Sequence, residues 1–138
     1  YTTHFEIAIA DNGQGIHNSL TSVAQYSDLS PEESLQKSIL KGSTGHPAGS
    51  PGFGLYCSSE FMRKGNCLFS IWSSGRKLQI LNGEENIHKS KFCSGTIISL
   101  IVKKDTMIPF SEILDNREPT ISLLLIKAES AAIVIFSI

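Results

Sequence analysis

The feature that most constrains the fold is a run of short alternating segments in the second half of the chain. CLFSIWS (67–73), RKLQIL (76–81) and GTIISLIV (95–102) each place apolar residues at every second position. That period of two is the signature of a strand with one buried face. Gly75 precedes RKLQIL, and Asn82-Gly83 follows it as a strong hairpin signal. In GTIISLIV, Thr96, Ile98, Leu100 and Val102 fall on one side. A mostly antiparallel sheet with one covered face is therefore expected.

The first half supplies the cover. HFEIAIA (4–10) alternates, with Phe5, Ile7 and Ile9 on one face, and by the same parity Asp11 points toward that apolar side. A carboxylate there needs a partner, because burying it unpaired is costly. DNGQGI ends the strand as a glycine-rich turn, and residues 17–29 are polar with weak periodicity. Ser30-Pro31-Glu32-Glu33 reads as a helix start with Ser as N-cap, Pro in the first turn and Glu closing a capping box. Leu35, Ile39 and Leu40 give this helix an apolar side, and Gly42 is a plausible stop. GSTGHPAGSPG (42–52) is a Gly- and Ser-rich loop next to a helix start, a candidate mobile lid. A second helix is expected from Phe53 to Lys64, closed by Gly65. PFSEILD (109–115) suggests a short third one. The fold class is thus α+β, a two-layer sandwich with a mixed, mostly antiparallel sheet and helices on one face.

Composition excludes several alternatives. With 138 residues the chain is one domain that can bury a real core. Its net charge of −1, with no basic blocks, gives no case for nucleic acid or an anionic membrane. Cys57, Cys67 and Cys93 are odd in number and form no CxxC, so neither a disulfide framework nor a zinc site is indicated, and reduced cytosolic thiols are expected. The apolar tail from Ile121 to Ile138 would carry Lys127 and Glu129 at mid-depth in a bilayer. It reads instead as core-forming strand or helix. The chain opens on Tyr1 with a strand pattern close behind, which reads as a piece of a longer protein without a signal peptide.

Two glycine boxes carry the chemistry. Asp11 at a strand end, with Gly13 and Gly15 behind it, could accept a hydrogen bond from an exocyclic amine while a flat ring lies on the bare backbone. Asp-Asn-Gly is also a common turn. Gly52-Phe53-Gly54, with Gly49 ahead, opens a helix whose free N–H groups attract anions. Gly-x-Gly before a helix is often only a tight entry. No Lys-Ser/Thr pair follows, so it is not a Walker loop, and it follows a loop rather than a strand, so it is not a dinucleotide fingerprint.

Together, D-x-G-x-G-I (11–16), the lid-like insertion and G-x-G-L (52–55) resemble the ATP-binding family shared by DNA gyrase, heat-shock chaperones, sensor histidine kinases and MutL. The resemblance extends to the strand over 66–73 and to Ser94-Gly95-Thr96 before IISLIV, covering residues 5–102. It implies a Bergerat fold in a histidine-kinase-like domain over 1–103, with 104–138 as an extension packed on the same domain. It further implies that Asp11 holds the adenine amine, that Gly13 packs near the ring, and that Gly15 and Ile16 start the lid. Gly52, Phe53 and Gly54 would offer backbone N–H groups to the phosphates, and Thr96 would reach the water shared with Asp11. The Phe53 side chain is expected only to pack against the lid, and Thr96 reads equally as an ordinary strand residue.

The family also implies Mg²⁺, held by a helix before the first box, but only ten residues precede Asp11. Glu112 and Asn116 have the matching spacing on the wrong side of the boxes and are not assigned, so no metal ligand or catalytic residue is identified. His4, His17, His46 and His88 read as surface or loop residues rather than phosphoacceptors. The leading expectation is a cytoplasmic ATP-binding domain serving phosphoryl transfer, closer to the kinase branch than to gyrase or MutL, with a protein partner or phosphoacceptor domain. The alternative is a non-catalytic or anti-sigma-type regulatory module that acts by binding protein partners.

Overall fold

The computed structural model describes residues 3–49, 51–109 and 112–113, and the backbone of Ser122–Ala128 and Ala131–Ser137. The chain is α+β, with a five-stranded antiparallel sheet and three helices packed on one of its faces. β1 (His4–Ala10) leads into α1 (Gly15–Thr21), a 3₁₀ turn (Ala24–Tyr26), α2 (Pro31–Ser38) and α3 (Gly54–Lys64). β2 (Leu68–Ser73), β3 (Arg76–Leu81), β4 (Glu84–Lys89) and β5 (Thr96–Lys103) complete the sheet in the order β1-β5-β2-β3-β4. β6 (Ser122–Ala128) and β7 (Ala131–Ser137) pair with each other in a separate ribbon, so these two stretches of the apolar tail are strand. No helix among the described residues is long and apolar enough to cross a membrane.

The expectation of a mixed sheet is corrected, since every pairing among the described strands is antiparallel. The physical reason lies in β5. β1 and β2 run in the same direction, joined by the helical crossover, but β5 lies between them and opposes both. The crossover therefore keeps its helices on one face without a parallel ladder forming. The turns do the rest: Ser74-Gly75 and Asn82-Gly83 take positive φ at both positions, the type I′ geometry that matches strand twist.

The sheet register puts Phe69, Ile71, Leu78 and Ile80 on the helix-covered face, all fully buried. Leu35 and Ile39 from the α2 region and Met62 from α3 close over them. Burying side chains of this size contributes about 1.5–3 kcal/mol each. The predicted capping box is present at α2: Ser30 Oγ accepts the Glu33 N–H, and the Glu33 carboxylate accepts the Ser30 N–H. The helix ends at Ser38, short of Gly42. The polar stretch after the first box hides a helix, α1, whose Ile16 and Leu20 are one turn apart. Two side-chain ties fix the helices to the sheet. Arg63 of α3 reaches Gly83 O at 2.9 Å and Glu85 at 3.4 Å, and Arg76 of β3 pairs with Glu32 of α2.

At β1 the cover thins. Phe5 and Ile7 are half-buried, while Ile9 is 59% exposed. The short helix expected over 109–115, and with it the Glu112–Asn116 spacing, lies largely outside the described residues. Ile113 itself is buried beside Cys57, and its carbonyl accepts the Tyr56 hydroxyl at 3.3 Å.

Candidate functional site

The ends of β1 and β5, the start of α1, the loop after α2 and the start of α3 surround a cavity of about 430 Å³. Asp11, Gly13, Gly15, Ile16, Gly52, Gly54 and Thr96 all line it. Of the residues that sequence reasoning placed in the site, only Phe53 is not among the described lining. Its ring packs beside Cys57 and under the Lys41 ammonium, 5.6 Å from the ring centroid. A volume of this size is within the range of small-molecule sites.

The first box departs from expectation in one respect. Asp11 is exposed, not buried, because Ile9 and the end of the β1 stripe are themselves uncovered. Its position is nevertheless fixed. The Asp11 N–H donates to Thr96 O at 3.0 Å, extending the β1–β5 ladder by one residue. Asp11 Oδ1 accepts the Gly13 N–H at 2.7 Å, which holds the carboxylate against its own turn. Gly95 lies so close that a Cβ there would approach Asp11 Oδ1 to 2.7 Å. Gly15 and Ile16 form the first turn of α1 rather than an open lid, and Gly15 is buried. The loop that faces them is the one after α2, where Ser43, Thr44 and Gly45 line the cavity.

At the other end, α3 presents its first turn. Gly54 is the first helical residue and Leu55 the second, and both line the cavity. The N-terminal turn of a helix carries backbone N–H groups with no intrahelical acceptor and the positive end of the dipole. Phe53, the N-cap, makes no side-chain cap bond, so it does not compete for those donors. Gly52 closes the neck of the loop, its carbonyl accepting the Gly42 N–H at 3.2 Å.

Sequence reasoning missed Ser73, the last residue of β2. It is almost fully buried, and its Oγ accepts the Ile16 N–H at 3.0 Å while donating to Gly95 O at 3.1 Å. The signal was its parity: a serine in phase with Phe69 and Ile71 on the covered face needs polar partners. Among the histidines, His17 is half-buried in α1, its Nδ1 at 3.0 Å from Ser34 Oγ. His4 lies beside the Thr3 hydroxyl at 2.8 Å, and His46 is exposed in the loop after α2. Cys57 is a buried thiol, and burial pushes its pKa up, away from thiolate chemistry.

The residues present do not fit a magnesium ion. Asp11 is the one carboxylate among the described lining residues, and it is already bonded to Gly13. No group of three or more His, Cys, Asp or Glu side chains placed to hold a metal ion lies among the described residues. The described lining therefore offers a magnesium ion no carboxylate beyond Asp11, and the rest of its oxygen ligands would have to come from phosphate and water. No family model, curated protein or solved structure matches the chain.

Proposed function

We propose that the cavity is an adenine-nucleotide pocket and that the chain is a Bergerat-type ATP-binding domain of a histidine-kinase-like protein. The observation that carries this reading is convergence. Asp11 and Thr96 at one end and Gly52 and Gly54 at the other, far apart in sequence, line one cavity. In this reading the Asp11 carboxylate accepts the exocyclic amine of adenine, and the α3 N-terminus receives the phosphates. Phosphoryl transfer in the intact protein, with Mg²⁺ from the wider machinery, and a cytoplasmic location belong to the same proposal.

Saturating ADP or ATP should raise the melting temperature of the chain. A ligand at 100 times its Kd stabilises by about 2.7 kcal/mol, which moves the transition of a domain this size by several degrees. Asp11→Asn should abolish the shift without changing the melting temperature of the free protein, since the side chain is exposed. No shift at millimolar nucleotide would sink the reading.

One observation favours a second reading, binding without turnover. Among the described residues the lining offers one carboxylate for a base and no second one for a metal. A domain of that kind would use the nucleotide to hold a conformation that grips a protein partner. A clear thermal shift with no phosphate release in the presence of Mg²⁺ would select it.

A further inference from the structure

Ser73 stands behind the cavity lining, where the end of β2, the start of α1 and the turn before β5 meet. It ends β2 opposite Thr96, and its side chain points to the covered face with almost no exposure. Through one hydroxyl it accepts the Ile16 N–H of α1 and donates to the Gly95 carbonyl. Ile16 lies in the first turn of α1, where the N–H has no intrahelical partner, and the Gln14 N-cap makes no side-chain bond. Ser73 thus caps α1 from across the sheet. The Gly95 turn that it also holds presses on Asp11, and Asp11 is tied back to Thr96. A single Oγ therefore ties the start of α1 to the turn that lies behind Asp11, in addition to the covalent link through residues 12–14.

We propose that Ser73 is a positioning residue that sets base selectivity at this cavity, resting on the adenine-nucleotide reading above. Its hydroxyl touches no ligand. It fixes how far Asp11 stands from the glycine turn and the start of α1, the gap into which a base must slide. Discrimination by hydrogen bonding depends on such spacing, because a small displacement leaves a donor or acceptor unpaired. Neither Ser73 hydrogen bond reaches α3, which would receive the phosphates in this reading.

The test is competition of ADP and GDP against a fluorescent N-methylanthraniloyl-ADP probe, with wild type, Ser73→Ala and Ser73→Thr. Wild type should prefer ADP over GDP. Ser73→Ala should lose about ten-fold in ADP affinity with GDP little changed, so that the ratio collapses, and Ser73→Thr, which keeps an Oγ, should recover most of it. A Ser73→Ala protein whose ADP and GDP affinities fall together, leaving the ratio intact, would show a merely structural serine and overturn the proposal. If Ser73→Ala does not fold, Ser73→Cys, close in size and a weak hydrogen-bonding group, carries the same comparison. Wild type that binds neither nucleotide overturns the cavity reading and this proposal with it, whereas wild type that binds ADP with an unaltered variant ratio overturns only the role of Ser73.

Discussion

The glycines at the two ends of the cavity look alike in the sequence, yet the fold needs some of them and not others. Gly52 and Gly95 adopt left-handed backbone, with φ of 71° and 76°, and each lies against a neighbouring chain segment. A Cβ on Gly52 would come within 2.5 Å of Ser43 O, and one on Gly95 within 2.7 Å of Asp11 Oδ1. Gly54 is different. It has ordinary helical φ, and a Cβ there would meet nothing within 4 Å. Its side of the helix opens onto the cavity. The architecture explains the first two glycines and leaves the third without a packing duty; under the proposed nucleotide reading, Gly54 keeps the approach to the α3 N–H groups open.

That contrast can be broken by substitution. Gly95→Ala and Gly52→Ala should give the largest effects, about 3 kcal/mol of lost stability or more, from left-handed strain plus displacement of backbone neighbours. Urea unfolding midpoints measure this, and a loss below about 1 kcal/mol at both would mean that the loops relax and the glycines are not scaffold. Gly54→Ala should go the other way. Alanine in a helix gains about 0.5–1 kcal/mol over glycine, so the free protein should melt slightly higher. Nucleotide affinity should fall at the same time, because the added methyl occupies the space before the α3 N–H groups. A Gly54→Ala protein that binds ADP as wild type does would remove α3 from the site.

What could be read from the residues alone divides along the same line. Four of the sheet's strands were legible because their apolar alternation is clear and the turn residues are specific: 76–81 and the Asn82-Gly83 turn are found as expected, whereas the largely polar β4 was not read as a strand. The α2 start was legible because a capping box needs only four residues, all local. The first helix was not, because Gly15 and the polar residues 17–19 mask an apolar side carried by Ile16 and Leu20. The sheet's uniform antiparallel character was also hidden, since the placement of β5 between β1 and β2 is a long-range pairing that no local pattern encodes. In the site, the residue types came from spacing, but the exposure of Asp11 and the bridging role of Ser73 depend on which segments meet. Ser73 bonds to residues 57 and 22 positions away, out of reach of any motif.

The smallest effect separates scaffold from cavity by pH. The hydrogen bond from Arg76 holds the Glu32 carboxyl below its ordinary value, and the Ser30 N–H does the same for Glu33 at the α2 cap. Both groups line no part of the cavity. A carboxyl with a lower pKa in the folded state binds its proton less readily than in the unfolded chain, so folding is favoured while it is ionised. The contribution is complete above the ordinary carboxylate value of 4.5 and disappears as pH falls through the lower folded-state value. Glu32 remains accessible to solvent, with its side chain 41% exposed, so the slope is modest. Melting temperatures of wild type and a Glu32→Gln/Glu33→Gln variant, followed from pH 7 to 3, should converge at the acid end. The variant should lose slightly at neutral pH and show the shallower acid slope. Parallel curves would show that the Glu32 and Glu33 contacts do not carry the acid sensitivity of the scaffold.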